Sequence, residues 1–495
     1  MFYSQIFDQM PNSLNLADPA HQELIKALNV GYARQDQTGA PAFLFQDLRN
    51  ALISTTFNAK DVPFWQDISK GTTDAFVHQY TTVDSVGPNV YNSGWFVAGD
   101  LPQSTDPDIN RRFSNVYFQG RVKQWQHPLQ FTSNQPGPGG VGSEAEDKQV
   151  WSGTLEILRS MEQSLLYAKN ANYKPDGATD GIAPDGMEVQ ICGAADATFI
   201  AGGENIIDLR GGYLTDEHLN KASEIIFDNH GTAEKLYLAG KTLRDLSNYL
   251  NAARKVELTA GVIQDGRLMH GVPVKGFNSN FGSIDYRPGK LTTNSRRLAP
   301  TAAIGSNPPA APTAGTTPSS VGAPGAGQVS KFTASESGNV KYKITAFNPS
   351  GESAPLTSGT VATTSTNIVT LQVTHGGGKW STANKTGITG YRLYRTGFGA
   401  TGDYGFIAEF PYVDLTDDPL VDMNLWLPLT DRAFMCDMDN ASSIDLRLLA
   451  PLKRLNLPIT GTVFQFLLFL YSTGPIQLAP KKHVEIVNIG AYNAN

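Results

Sequence analysis

The residues of this chain that could do chemistry are few and stand apart. Ala239-Gly-Lys-Thr242 has the tail of a phosphate-binding loop, but Lys235 occupies the place of that motif's first glycine. His375-Gly-Gly-Gly-Lys379 is followed by Trp380, where a hydroxyl would be needed for magnesium. Neither can complete a cradle of backbone N–H groups around a phosphate, so they read as a helix start and a hairpin turn. A nucleophilic serine on a sharp turn would show as G-x-S-x-G, and a zinc-protease helix as H-E-x-x-H; the sequence contains neither. The eight histidines (His21, His78, His127, His218, His230, His270, His375 and His483) include no pair at metal-ligand spacing on one helix. Asp414, Asp417, Asp418 and Asp422 could offer carboxylate oxygens to calcium, yet the glycine of an EF-hand loop is missing. Cys192 and Cys436 lack a CxxC neighbour and sit among apolar residues, which points to buried thiols and not to zinc or a disulfide framework. The expectation is a protein that is not an enzyme, with no cofactor and no metal.

The composition points the same way. Lys+Arg 39 against Asp+Glu 46 leaves a net charge of −7 over 495 residues with no long basic run, a poor basis for gripping nucleic acid through its phosphates. A 40% hydrophobic content is enough to build cores and excludes wholesale disorder. Charged residues are only 17%, against roughly 25% in an ordinary soluble protein. With 48 glycines and 29 prolines, this suggests extended β-structure and much surface buried against partners. The start, Met1-Phe-Tyr-Ser-Gln-Ile-Phe7, has neither the basic nor the apolar region of a secretory signal. The apolar run at 464–471 falls far short of the ~20 residues a membrane helix needs and reads as a buried strand. A soluble chain made in a cytoplasm is expected, with no membrane partner.

Residues 1–72 read as an N-terminal arm, with one helix starting at Asp18-Pro19 and another over 43–54; such an arm gains stability mainly by lying on another subunit. Residues 73–135 hold β-prone runs at 73–83 and 112–122 around a turn-rich tip, which makes one long hairpin, marginal by itself. After a Pro/Gly linker, Ser143-Glu-Ala-Glu146 matches a capping box at the head of a helix over 143–170, roughly 40 Å long. Ile157, Leu158, Met161, Leu165 and Ala168 form its apolar stripe. The rest of 136–304 alternates helices and strands: a helix from Thr215 with Leu219, Ala222 and Ile226 on its face, a strand at 236–239, a helix from Thr242, and strands at 271–274 and 281–286. From Pro300 to Gly327 the composition is linker-like. Short alternating strands at 342–346, 367–373, 390–395 and 404–410 then predict a β-sandwich over 305–428, linker included, with Tyr342, Tyr391, Tyr394 and Phe406 in its core. Residues 429–495 return to the outer α/β part, so the sandwich is an insertion.

This order of parts resembles the major capsid proteins of tailed double-stranded DNA bacteriophages, built on the Hong Kong phage-type fold. Phe64-Trp-Gln-Asp-Ile-Ser-Lys70, Ser104-Thr-Asp-Pro-Asp-Ile109, Leu214-Thr-Asp-Glu-His-Leu-Asn220, Val272-Pro-Val-Lys-Gly-Phe277 and Leu478-Ala-Pro-Lys-Lys-His-Val-Glu-Ile-Val-Asn488 carry it, through their shared order along nearly the whole chain. The resemblance implies an α+β fold of N-arm, E-loop (73–135), spine helix, and P and A domains. It also implies an inserted all-β immunoglobulin- or fibronectin-like sandwich. It further implies pentamers and hexamers closing into an icosahedral shell around double-stranded DNA, with portal, scaffold and decoration proteins as further partners. At the hairpin, Trp95 and Phe96 of the tip and Arg111 and Arg112 of the return are the expected contacts with an adjacent subunit, in interfaces above ~2,000 Å². Residues 1–72 leave no room for the long cleavable scaffolding segment of some family members, and no Lys–Asn crosslinking pair can be matched. Two other readings remain: an encapsulin-like bacterial compartment, and a carbohydrate-active enzyme with a fibronectin-type accessory module.

Overall fold

The structure is a computed structural model and describes residues 61–85, 108–126, 141–173, 181–192, 205–254, 263–264, 267–268, 274–290, 297–325, 328–381, 383–413, 415, 418–438, 443–458, 463–477 and 479–492. All lie in the unit Phe57–Asn495. The helices expected before residue 60, the hairpin tip with Trp95 and Phe96, and most of the strand expected at 271–274 lie outside the described residues.

In chain order the first elements are α1 (Pro63–Asp67), β1 (Lys70–Thr72), β2 (Val77–Ser85), β3 (Asp108–Gln126), α2 (Val141–Tyr167), α3 (Met187–Cys192), β4 (Ile206–Asp208), α4 (Asp216–Asp228), β5 (Lys235–Ala239), α5 (Gly240–Arg254), β6 (Ile263–Gln264), β7 (Arg267–Leu268), β8 (Gly276–Ser279) and β9 (Gly282–Gly289). The next are β10 (Ile304–Gly305), β11 (Thr313–Gly322), β12 (Gly338–Asn348), β13 (Gly351–Glu352), β14 (Leu356–Thr363), β15 (Ile368–Thr374), β16 (Gly390–Arg395), β17 (Gly405–Pro411) and β18 (Asp418–Asp422). The chain closes with β19 (Asp431–Cys436), β20 (Ile444–Asn456), β21 (Val463–Thr473), β22 (Ile476–Gln477) and β23 (His483–Ile489).

The architecture is mixed α+β. One sheet runs β1-β20-β21-β3-β2, and the long helix α2 covers one of its faces. Alternation explains the fit: Phe466, Leu468 and Leu470 of β21 point to the helix and meet its stripe of Ile157, Met161 and Leu165. Gly153 lets helix and sheet approach, since a Cβ there would press on Leu468. A second sheet, β4-β23-β19-β5-β9-β8, is buried on both faces. Phe434 and Cys436 of β19 join the α2 core, whereas Ala433 and Met435 face Leu219, Ala222 and Ile226 of α4 and Leu246 of α5. Two further sheets, β10-β13-β12-β16-β17 with β14 beside β12, and β11-β15-β18, share an apolar core of their own. They lie between the halves of the second sheet in sequence, because β19 and β23 pair with β5 and β4.

Several expectations need amendment. The long helix begins at Val141, two residues ahead of the expected cap at Ser143, and ends at Tyr167. The Pro/Ala/Gly stretch after 300 is not merely linker: β11 pairs with β15 from Thr313 to Gly322. Its register shifts between Ala314 and Ser319, so Pro318 falls where a missing N–H costs no ladder bond, and β11 is an edge strand. In the sandwich, Tyr342, Tyr391 and Tyr394 are fully buried as expected, whereas Phe406, packed on Tyr394 with ring centroids 5.8 Å apart, is only half-buried. The run at 464–471 is a strand buried on one face alone.

Candidate functional site

The residues first weighed for chemistry are occupied structurally. Thr242, the hydroxyl of the phosphate-loop tail, lies inside α5 and donates to the Asp431 carboxylate at 2.5 Å. Asp418 and Asp422 sit at opposite ends of β18. Asp418 accepts the Leu415 N–H, Asp422 takes the Arg395 guanidinium, and Asp414 and Asp417 lie outside the described residues. His375 packs its ring on Tyr412, 4.9 Å between centroids, and its glycines lie not in the expected hairpin turn but in the connection from β15 to β16, which belong to different sheets. Among the described residues no three His, Cys, Asp or Glu side chains are grouped to hold a metal ion. Burial pushes the Cys436 thiol far up, so that it stays unreactive.

What the structure presents instead is exposed apolar sheet. β3 is 19 residues long and changes partner along its length. Residues 108–115 pair with β2, and residues 116–126 pair with β21. Where β21 is the partner, Gln119 and Arg121 of β3 lie on the α2 side, and Arg121 forms an ion pair with Glu156 of that helix. Phe118, Gly120 and Val122 form an outer face that continues across the neighbouring strands. In register, Phe118 stands opposite Tyr471 and Val122 opposite Leu467, with Leu455 beyond on β20. Phe76 closes this face: its ring lies 6.5 Å from that of Tyr471, which lies 4.7 Å from Phe118. The Phe118 ring lies over Gly120, where a Cβ would collide with it. Phe76 is 68% exposed and Val122 58%, an arrangement a subunit left alone in water would not favour.

The two-stranded part of the hairpin is more open still. Phe113 is 65% and Ile109 57% exposed, on the face that also carries Val77. Arg111 and Arg112, both expected to meet an adjacent subunit, lie on opposite faces. Arg111 pairs across the ladder with Thr81 on the apolar face, and Arg112 pairs with Tyr80 over a groove of about 580 Å³ walled by Pro184, Asp185 and Gln477. The sequence did not single out Phe76, Phe113, Phe118 or Val122. Alternation marked their strands, but which face a helix would cover follows only from α2 docking on the other side.

Exposed apolar faces of this kind mark surfaces suited to a partner, and comparison with known proteins gives their context. No protein-family model matches the chain. It is 24% identical over 483 residues to the major capsid protein of Staphylococcus phage K, covering 96% of each chain, and equally similar to that of Staphylococcus phage S25-3. Among solved structures it is similar to the capsid of a gene transfer agent particle (7% identity, TM-score 0.41, 91% of this chain and 97% of that one). It is also similar to the capsid of the myovirus XM1 (9%, 0.38, 89% and 96%) and to the SrpI encapsulin of Synechococcus elongatus (9%, 0.38, 90% and 95%). Over nearly its whole length the chain is a homologue of phage major capsid proteins.

Proposed function

We propose that the chain is the major capsid protein of a tailed phage, whose copies assemble as pentamers and hexamers into an icosahedral head. The observation that carries this is the match along 96% of both chains to a capsid protein of a Staphylococcus phage, with no large part of either left over. The whole-length relatives are phage proteins, which favours a virion shell over an encapsulin-like compartment. On this reading β2 and β3 belong to the E-loop, α2 is the spine helix, and the sheets around α4 and α5 make up the P and A domains. The hairpin, with Trp95, Phe96, Arg111 and Arg112, reaches an adjacent subunit, and the exposed faces bearing Phe113 and Phe118 are covered in the assembled shell. The protein works by assembly and not by catalysis. Portal, scaffold and decoration proteins are its further partners, and double-stranded DNA fills the interior without sequence-specific contact. Assembly takes place in the host cytoplasm; among the described residues no helix is long and apolar enough to cross a membrane.

Residues 305–428 are, on the same reading, an inserted immunoglobulin- or fibronectin-like module on the outer face of the shell. Two sheets around one core and consecutive antiparallel pairings support this. Electron microscopy of the purified, overexpressed chain tests the proposal: rings or shells support it, and a dispersed folded monomer overturns it.

A further inference from the structure

We infer that Arg210 fixes the attitude of the two-sheet sandwich on the rest of the subunit, as a plug from one seated in a socket of the other. This goes beyond the capsid reading and does not depend on it. Arg210 follows β4 and stands at φ 46, a left-handed conformation unusual for a side-chain-bearing residue. Its neighbours hold it there: the Arg210 N–H donates to the Asp208 carboxylate at 3.0 Å, and the Gly211 N–H to the Asn488 carbonyl at 2.8 Å. The Asn488 side chain in turn donates to Asp208 at 2.7 Å.

From that mount the guanidinium crosses to the sandwich and uses every edge of its fork. It engages both oxygens of Glu336, with Nε at 3.2 Å from one of them. Nη1 donates to the Asn424 carbonyl at 2.8 Å, and Nη2 to the Lys331 carbonyl at 3.1 Å. A planar fork in such a socket fixes direction as well as distance, which a single point charge would not. The socket is continuous with the sandwich interior. Asn424 accepts Arg395 Nη2 at 2.6 Å, and Arg395 donates to Asp422 at 2.6 Å, which also takes the Tyr342 hydroxyl at 2.9 Å. Arg395 and Tyr342 are fully buried, so the mount is coupled to the core and not to a mobile surface loop.

Elsewhere the two parts meet at scattered side-chain contacts: Arg297 pairs with Glu352, and Trp426, on the connecting segment, stacks on Arg432 at 3.5 Å. Between them lies a polar cleft of about 430 Å³, lined by Lys169, Glu188 and Arg432 on one side and by Asn348, Arg392 and Glu409 on the other. Tyr173 packs on Phe347 at its margin, ring centroids 5.5 Å apart. Arg210 differs from these contacts in gripping three residues of the sandwich side at once, Glu336, Asn424 and Lys331.

The test uses the full chain with Cys192 replaced by serine and spin labels at cysteines introduced for the exposed Glu224 and Ser365, diluted into unlabelled chain. The unaltered mount should give one narrow distance between the labels. Arg210→Ala should lose that narrow peak and give a broad spread while each part keeps its own fold by circular dichroism. Where Arg210→Ala does not fold, Glu336→Gln, which removes the charge from the socket and keeps its shape, should broaden the peak instead. A narrow, unmoved peak in the folded Arg210→Ala chain, or in Glu336→Gln where that variant replaces it, would overturn the inference.

Discussion

Glu162 of the long helix accepts the backbone N–H of Trp65 at 2.7 Å, and its other oxygen accepts that of Phe64 at 3.0 Å. One carboxylate on α2 thus holds the start of α1, and with it the segment that runs into β1. Phe64 meets Tyr237 edge-on at 5.1 Å, and Asp67 holds Lys235 and Arg287, so this short stretch ties the helix to both central sheets.

Glu162 should make that tie sensitive to pH. Burial pushes its carboxyl up to about 7, the Trp65 and Phe64 N–H groups pull it back, and Asp67 and Lys70 act in opposite senses. A folded value above the unfolded 4.5 means that its contribution is full below about 4.5 and is lost as pH rises through about 7. The span corresponds to an upper bound of about 3 kcal/mol. Urea denaturation of the unassembled subunit, followed by tryptophan fluorescence at pH 5.5 and 8, should show a smaller pH difference in Glu162→Gln than in the parent chain.

His483 carries the opposite sign. It is fully buried at the start of β23, and burial lowers it from 6.5 to about 4, with Lys482 lowering it further against the pull of the Ser443 backbone. The stability tied to its neutral form is complete above 6.5 and is lost as pH falls through about 4. Proton NMR of histidine-labelled chain should find this imidazole neutral at pH 5.5; a charged ring there would refute the assignment.

Gly153→Ala sets two effects against each other. A helix interior gains about 1 kcal/mol from alanine. Overpacking of a dense core costs about 1–3 kcal/mol, and here the added methyl meets the buried Leu468. The core term should win, so that the variant melts below the parent chain; Leu468→Ala should cost about 3 kcal/mol through its cavity.

Phe118→Ser, alone and with Phe76→Ser, should leave the subunit's circular dichroism and melting unchanged, because both rings lie on the outer face. Particle yield should fall severalfold. An unchanged yield would show that this face is not buried on assembly.

Removing the sandwich should depend on where the cut falls. Trp426 stacks on the Arg432 guanidinium at 3.5 Å, and Leu425 packs on Val487, so residues 425–428 serve the outer part of the subunit. A deletion that keeps them should leave the remainder folded, and one that runs through Pro428 should not. Limited proteolysis distinguishes the two.

Much of this was legible in the sequence where one local signal decides. Thr215 does cap α4, its hydroxyl 2.8 Å from His218, and Leu219, Ala222 and Ile226 are its buried face. The sandwich strands at 390–395 and 404–410 fall within a residue of β16 and β17. What stayed hidden depends on distant partners. Thr242 looks like a phosphate ligand until Asp431 arrives from a strand about 190 residues later. Pro318 reads as linker until β15 lies beside it. Glu162, inside an apolar helix stripe, has a reason only once α1 docks there, and Arg210 and Glu336 are 126 residues apart. No spacing rule links such pairs.

The most direct test of the capsid reading is electron microscopy of the purified full-length chain at micromolar concentration, combined with sedimentation velocity. Rings, pentamer or hexamer assemblies, or closed shells are the predicted result, with little free subunit. A stable, well-folded monomer with no larger species would contradict it.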